Sequence, residues 1–139
     1  MAKRNSFSVI AFVVLMWVLV PLVSTAQSPP TSAGAGSGPI KGICVYYNDK
    51  FQGHILASGE KYDKEALTAA HKTLPFGTMV KVTNLGNNKS VVVRVNDRGP
   101  HGGSKTKIIE ITSRAAKEID MIKEGKAQVQ IEIVESGKQ

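Results

Sequence analysis

Asp97 lies between two arginines in the run Val91-Val92-Val93-Arg94-Val95-Asn96-Asp97-Arg98-Gly99-Pro100. A carboxyl group flanked by guanidinium groups, delivered where a strand gives way to a loop, suits binding or proton-transfer chemistry. The same three side chains also fit an ion pair that merely holds the loop, so the cluster alone leaves both readings open. The other chemistry-bearing residues narrow the field. His54, His71 and His101 are scattered, with no close pair at helical or hairpin spacing, and the single cysteine, Cys44, cannot build a zinc site. No metal and no cofactor are expected. Gly102-Gly103 lacks the lysine and the strand-to-helix setting of a phosphate cradle. Cys44 cannot form an intramolecular disulfide, and in Ile43-Cys44-Val45-Tyr46-Tyr47 it reads as a small buried apolar residue with no base beside it to make a nucleophile.

The elements that must position Asp97 can be read from periodicity. Val91, Val93 and Val95 alternate with Val92, Arg94 and Asn96, so a strand is expected to end near Asn96, with Gly99 and Pro100 forcing a turn. Ile43 to Tyr47 is a strand closed by Asn48-Asp49-Lys50; Gly77 to Asn84 is another, joined to the Asp97 strand by a tight turn at Gly86-Asn87-Asn88. Phe51 to Tyr62 is loop-like, and Asp63 is expected to cap a short helical turn through Leu67. Thr68 to His71 leads directly toward Pro75 in extended geometry. Lys107 to Ile111 is a strand, followed by one helix from Arg114 to about Asp120 with Thr112 or Ser113 at its start. Ala127, Val129, Ile131 and Ile133 alternate with Gln128, Gln130 and Glu132, a further strand. Short strands, little helix and frequent turns point to a mainly β fold, a small closed β-barrel without exposed edges.

Ahead of this domain, Lys3 and Arg4 precede an apolar run from Phe7 to Val23, then Ser24-Thr25-Ala26. Residues 1–26 are expected to be a cleaved signal peptide, the alternative being a single membrane anchor. Residues 27–39, rich in Gly, Ser and Pro, are a flexible linker, and the folded domain is expected over 40–136. The protein should be exported, periplasmic or secreted, with no stable membrane anchor after cleavage, and a monomer. The chain carries a formal charge of +7, and loss of Lys3 and Arg4 leaves +5. A moderately basic exported domain prefers anionic surfaces, such as cell-wall polymer or lipid headgroups. Its lysines are dispersed and its aromatics few, so no nucleic acid is expected as a partner.

Four blocks in order carry a resemblance: Ser58-Gly59-Glu60-Lys61-Tyr62-Asp63, Ala66 to Pro75, Val82-Thr83-Asn84-Leu85, and Val91 to Pro100. From about Gly42 to Val134 the chain resembles the rare lipoprotein A (RlpA) family. The resemblance implies a six-stranded double-psi β-barrel with one or two short helices, distantly related to expansins. It also implies an envelope enzyme, a lytic transglycosylase acting on peptidoglycan glycan strands, with a preference for strands lacking stem peptides. Carried over by position, Asp97, Glu60 and His71 fall on the family's functional residues, while Tyr62, Arg94, Asn96 and Arg98 are expected to touch substrate.

Such a reaction needs a proton for the departing sugar oxygen and negative charge beside an oxocarbenium-like transition state. The muramyl C6 hydroxyl is the nucleophile, leaving a 1,6-anhydro end, so no water need be positioned. One carboxyl group can serve as acid and then base. Asp97 is expected in that role, with Glu60 supporting charge and His71 orienting sugar. Each has a plainer reading: Glu60 as a solvated charge, His71 as a backbone cap, and Tyr46, Tyr47 and Tyr62 as core packing rather than groove. Glu110-Ile111-Thr112 stands where the family usually shows Asp-Leu-Ser, and moves a carboxylate that borders the cleft. The alternative function is a non-catalytic, expansin-like module that binds or loosens wall glycan. An inhibitor or effector of another protein fits the small exported form without any motif to support it.

Overall fold

The computed structural model describes residues 38–137. The expected signal peptide, and the linker up to residue 37, lie outside the described residues. Six strands close into a barrel in the order β1-β5-β2-β4-β3-β6: β1 (Ile40–Tyr46), β2 (Thr68–His71), β3 (Met79–Asn84), β4 (Ser90–Asp97), β5 (Lys107–Ile111) and β6 (Lys126–Glu135). β1 runs parallel to β5 and β2 parallel to β4, while the other four pairings are antiparallel. The expected mainly β, closed-barrel architecture is what the chain forms. Among the described residues no helix is long and apolar enough to cross a membrane.

The alternation read along β4 holds for most of its length: Val91, Val93 and Val95 are buried, whereas Val92 is exposed and Arg94 half-buried. With Val80, Val82, Ile109, Ile111, Val129 and Ile131 they fill the barrel interior, where β-branched side chains suit a pleated surface. Alternation stops at the strand end. Asn96 and Asp97 are both buried, and the strand runs one residue beyond the expected boundary.

Thr68 to His71 is a full strand, not merely a lead-in to Pro75, and all its residues are buried. Lying between β4 and β5, it leaves neither face to solvent, so no polar alternation marks it in sequence. Residues 63–67 form a turn rather than helix: Asp63 accepts the Glu65 amide at 2.9 Å through Oδ1 and the Ala66 amide at 3.1 Å through its carbonyl. The one α-helix among the described residues, α1 (Ser113–Glu118), is N-capped by Thr112, whose hydroxyl accepts from the Ala115 amide. It ends earlier than expected because Asp120 takes a left-handed conformation at φ +53°.

Candidate active site

Asp97, 5% exposed, stands at the end of β4 with both carboxylate oxygens engaged. The Tyr47 hydroxyl donates to Oδ2 at 2.6 Å, and the Ala57 amide donates to Oδ1 at 2.8 Å. Neither donor is an arginine, so the alternative reading of Arg94, Asp97 and Arg98 as an ion-paired cluster does not hold.

The Ala57 amide is held by a loop that folds against the strand end. An isolated bridge joins Ile55 to Lys61, the Leu56 amide reaches the Glu60 carbonyl at 2.8 Å, and the Ser58 amide reaches the Asn96 carbonyl at 3.3 Å. Gly59 turns the loop at φ +88°, which an L side chain would strain. Glu60 is thereby placed beside Arg94, and the two side chains form a bidentate pair at 2.8 and 2.9 Å. Hydrogen bonding from Arg94 is the main influence holding the Glu60 carboxyl below its usual range, with burial opposing it.

His71 accepts the Thr73 and Leu74 amides on Nδ1 at 3.2 and 3.1 Å, an arrangement that puts its proton on Nε2. Burial first, then the charges of Arg98 and Lys72, lower its pKa and favour the neutral ring. Arg98 donates to the carbonyls of His71 and Leu74 at 3.2 and 2.8 Å and lies 4.1 Å from the centre of the Phe76 ring. No carboxylate neutralises it in these contacts.

A cleft of about 620 Å³ opens over Asp97. Segment 47–57 lines it with Tyr47, Phe51, Ile55 and Leu56, and segment 97–110 with Asp97, Arg98, His101 and Glu110. Of the residues expected at the site, Asp97 and Arg98 line this cleft; Glu60, His71, Tyr62, Arg94 and Asn96 do not. Tyr62, expected to touch substrate, is 1% exposed and packs on Tyr47 with ring centres 4.6 Å apart. Asn96 is likewise buried, its carbonyl holding the loop.

Among the cleft residues that sequence reasoning did not put among the site residues, Tyr47 and Glu110 bear most directly on Asp97. Register explains the latter. Ala70 of β2 is paired with Asp97 of β4 on one side and with Glu110 of β5 on the other. Two carboxyl groups thus flank a small side chain in one row across three strands, their backbones about 10 Å apart at ordinary strand spacing.

Residues 40–131 match the family model described as lytic transglycolase, a double-psi β-barrel. Over 108 residues, 78% of the chain, it is 47% identical to the endolytic peptidoglycan transglycosylase RlpA of Campylobacter jejuni, covering 38% of that protein. It is 50% identical over 94 residues, 67% of the chain, to the protein of the same name from Vibrio cholerae, covering 35% of it. The chain therefore spans little more than a third of these relatives. Among solved structures, an expansin of Clavibacter michiganensis shares the fold at a TM-score of 0.56 and 16% identity, over 73% of this chain and 53% of that one. The matched family region and the closed barrel that carries it agree, and the chain belongs to the RlpA-like, lytic transglycolase family of double-psi β-barrels.

Proposed function

We propose that the barrel is an endolytic peptidoglycan lytic transglycosylase, cutting peptide-free MurNAc–GlcNAc strands to leave 1,6-anhydro-MurNAc ends. The observation that carries this reading is Asp97: a carboxyl group fixed by two neutral donors at the base of an open cleft, in a chain whose relatives bear that activity in their names. Fixing a catalytic group in advance removes the cost of arranging it during the reaction.

Asp97, accepting from Tyr47 and Ala57, is oriented to take the proton of the C6 hydroxyl as that oxygen attacks the anomeric carbon. In a scheme with a single carboxyl group it also carries the proton to the leaving oxygen. Glu60 and His71 support it from outside the cleft. Glu60, tied to Arg94, fixes the loop that holds the Ala57 amide, and His71 orders the turn whose carbonyls hold Arg98. Arg98, in the cleft and paired only with carbonyls, offers its charge to the substrate. The protein acts in the cell envelope after export, periplasmic or secreted, as a monomer.

Incubation with peptide-free strands and separation of the products by mass tests the reading. Anhydro-muramyl ends are expected from the protein and not from its Asp97→Asn variant. Strands that bind and stay intact would replace the enzyme with a wall-binding module.

A further inference from the structure

We infer that Glu110, connected to solvent through His101, is the acid that protonates the departing sugar oxygen; this rests on the transglycosylase reading above. Glycosidic bond cleavage that uses both an acid and a base places a carboxyl group on each side of the bond. Glu60 is badly placed to be the second of these. It does not line the cleft, and the bidentate contact with Arg94 favours its ionised form. Glu110 meets the positional requirement. It lines the same cleft as Asp97, its side chain is only 13% exposed, and it sits across Ala70 from Asp97 in the β4-β2-β5 row.

The two carboxyl groups differ in their partners. Asp97 has a donor on each oxygen, which fixes the carboxyl group in the orientation of a proton acceptor. Glu110 has one contact, from Oε2 to Nδ1 of His101 at 3.4 Å. His101 is 74% exposed, so it bridges the enclosed carboxyl and bulk water. It belongs to the loop after β4, which passes close over β2: a Cβ at Gly99 would stand 3.3 Å from the Cβ of Ala70. The loop that carries His101 is thus packed against the residue separating the two carboxyl groups.

The step balances without water or a further reagent. Glu110 gives its proton to the glycosidic oxygen as the bond from that oxygen to the anomeric carbon breaks. The muramyl C6 oxygen bonds to the same carbon, and its proton passes to Asp97. Asp97 then releases a proton to solvent and Glu110 regains one through His101, restoring the starting state. Glu110 is a catalytic residue in this scheme, and His101 is a positioning residue that acts through it.

Turnover is to be measured on peptide-free strands and on an aryl N-acetylmuramoyl glycoside whose nitrophenolate departs without a proton. Glu110→Gln is expected to lower kcat on strands by about a hundredfold or more, the usual contribution of a general acid. The melting temperature and strand affinity should hold, and the rate on the aryl glycoside should stay within a few-fold of the unmutated protein. Glu110→Asp should restore most of the strand rate, and His101→Gln should lower kcat more than it changes KM. Asp97→Asn should fail on both substrates. Equal loss on both substrates for Glu110→Gln, or no loss on either, overturns the assignment. Absence of anhydro products from the unmutated protein instead overturns the transglycosylase reading itself.

Discussion

Tyr47 and Asp97, 50 positions apart in sequence, share a hydrogen bond of 2.6 Å that ties the chain after β1 to the end of β4. Burial first, then the bond to Asp97, pushes the Tyr47 hydroxyl well above the usual tyrosine range, so it remains a donor throughout the working pH range. Tyr47→Phe keeps the ring packing and removes only that donor. Hydrogen bonds to charged groups contribute about 1.5–3 kcal/mol, so a stability loss of that order and a fall in kcat of about tenfold or more are expected. Chemical denaturation and strand turnover measure the two effects; an unchanged kcat would remove Tyr47 from the account.

Glu60 and Arg94 predict an acid-sensitive but small contribution. The folded-state Glu60 carboxyl lies below its unfolded value, so its stabilisation is present above that unfolded value, about 4.3, and is lost as pH falls through the folded one. The pair is 44% and 40% exposed at its side chains, so solvent screening keeps the contribution under about 1 kcal/mol. Glu60→Gln should cost little stability at neutral pH and show a shallower decline than the unmutated protein between about pH 5 and 3, the range around the ordinary glutamate pKa. Parallel declines would contradict the pairing.

His71 predicts a second pH effect in a higher window. Its folded-state pKa is lowered, chiefly by burial, so the unfolded chain binds a proton first and stability drops as pH falls from about 6.5 toward the folded value. His71→Asn should flatten that segment of the stability curve. It should also lower stability at neutral pH by about 1–2 kcal/mol if its shorter side chain leaves the Thr73 or Leu74 amide without an acceptor. Thermal unfolding across pH 5 to 8, a range set by the ordinary histidine pKa of about 6.5, measures both effects.

Cys44 should be unreactive in the folded protein. Burial, with Glu110 as the lesser influence, pushes its thiol above the usual range, and the side chain is 0% exposed. The thiolate is the reactive form. A thiol reagent should label it only after denaturant is added, and rapid labelling of the native protein would place Cys44 outside the core.

Much of the barrel is legible because its strands have one face in and one face out. The valines of β4 declare themselves, as do Val129 and Ile131 of β6, although Ile133 in the same alternating set is exposed, and the Gly86-Asn87-Asn88 turn fixes the β3-β4 pairing. β2 does not, because burial of Thr68 through His71 on both faces erases the alternation that a half-exposed strand would show. The site divides in the same way. Asp97 is announced by a strand running into Gly-Pro, whereas the presence of Glu110 in the same cleft depends on which strands flank β2, a property of closure that no local pattern encodes. Arg94 stands near Asp97 in sequence yet pairs with Glu60, since alternation points it away from the cleft and toward the loop.

The most direct test of the central claim is mass analysis of peptide-free glycan strands after exposure to the protein and to its Asp97→Asn variant. The account predicts 1,6-anhydro-muramyl ends from the unmutated protein alone. Strands left intact by both proteins, or anhydro ends formed equally by both, would contradict it.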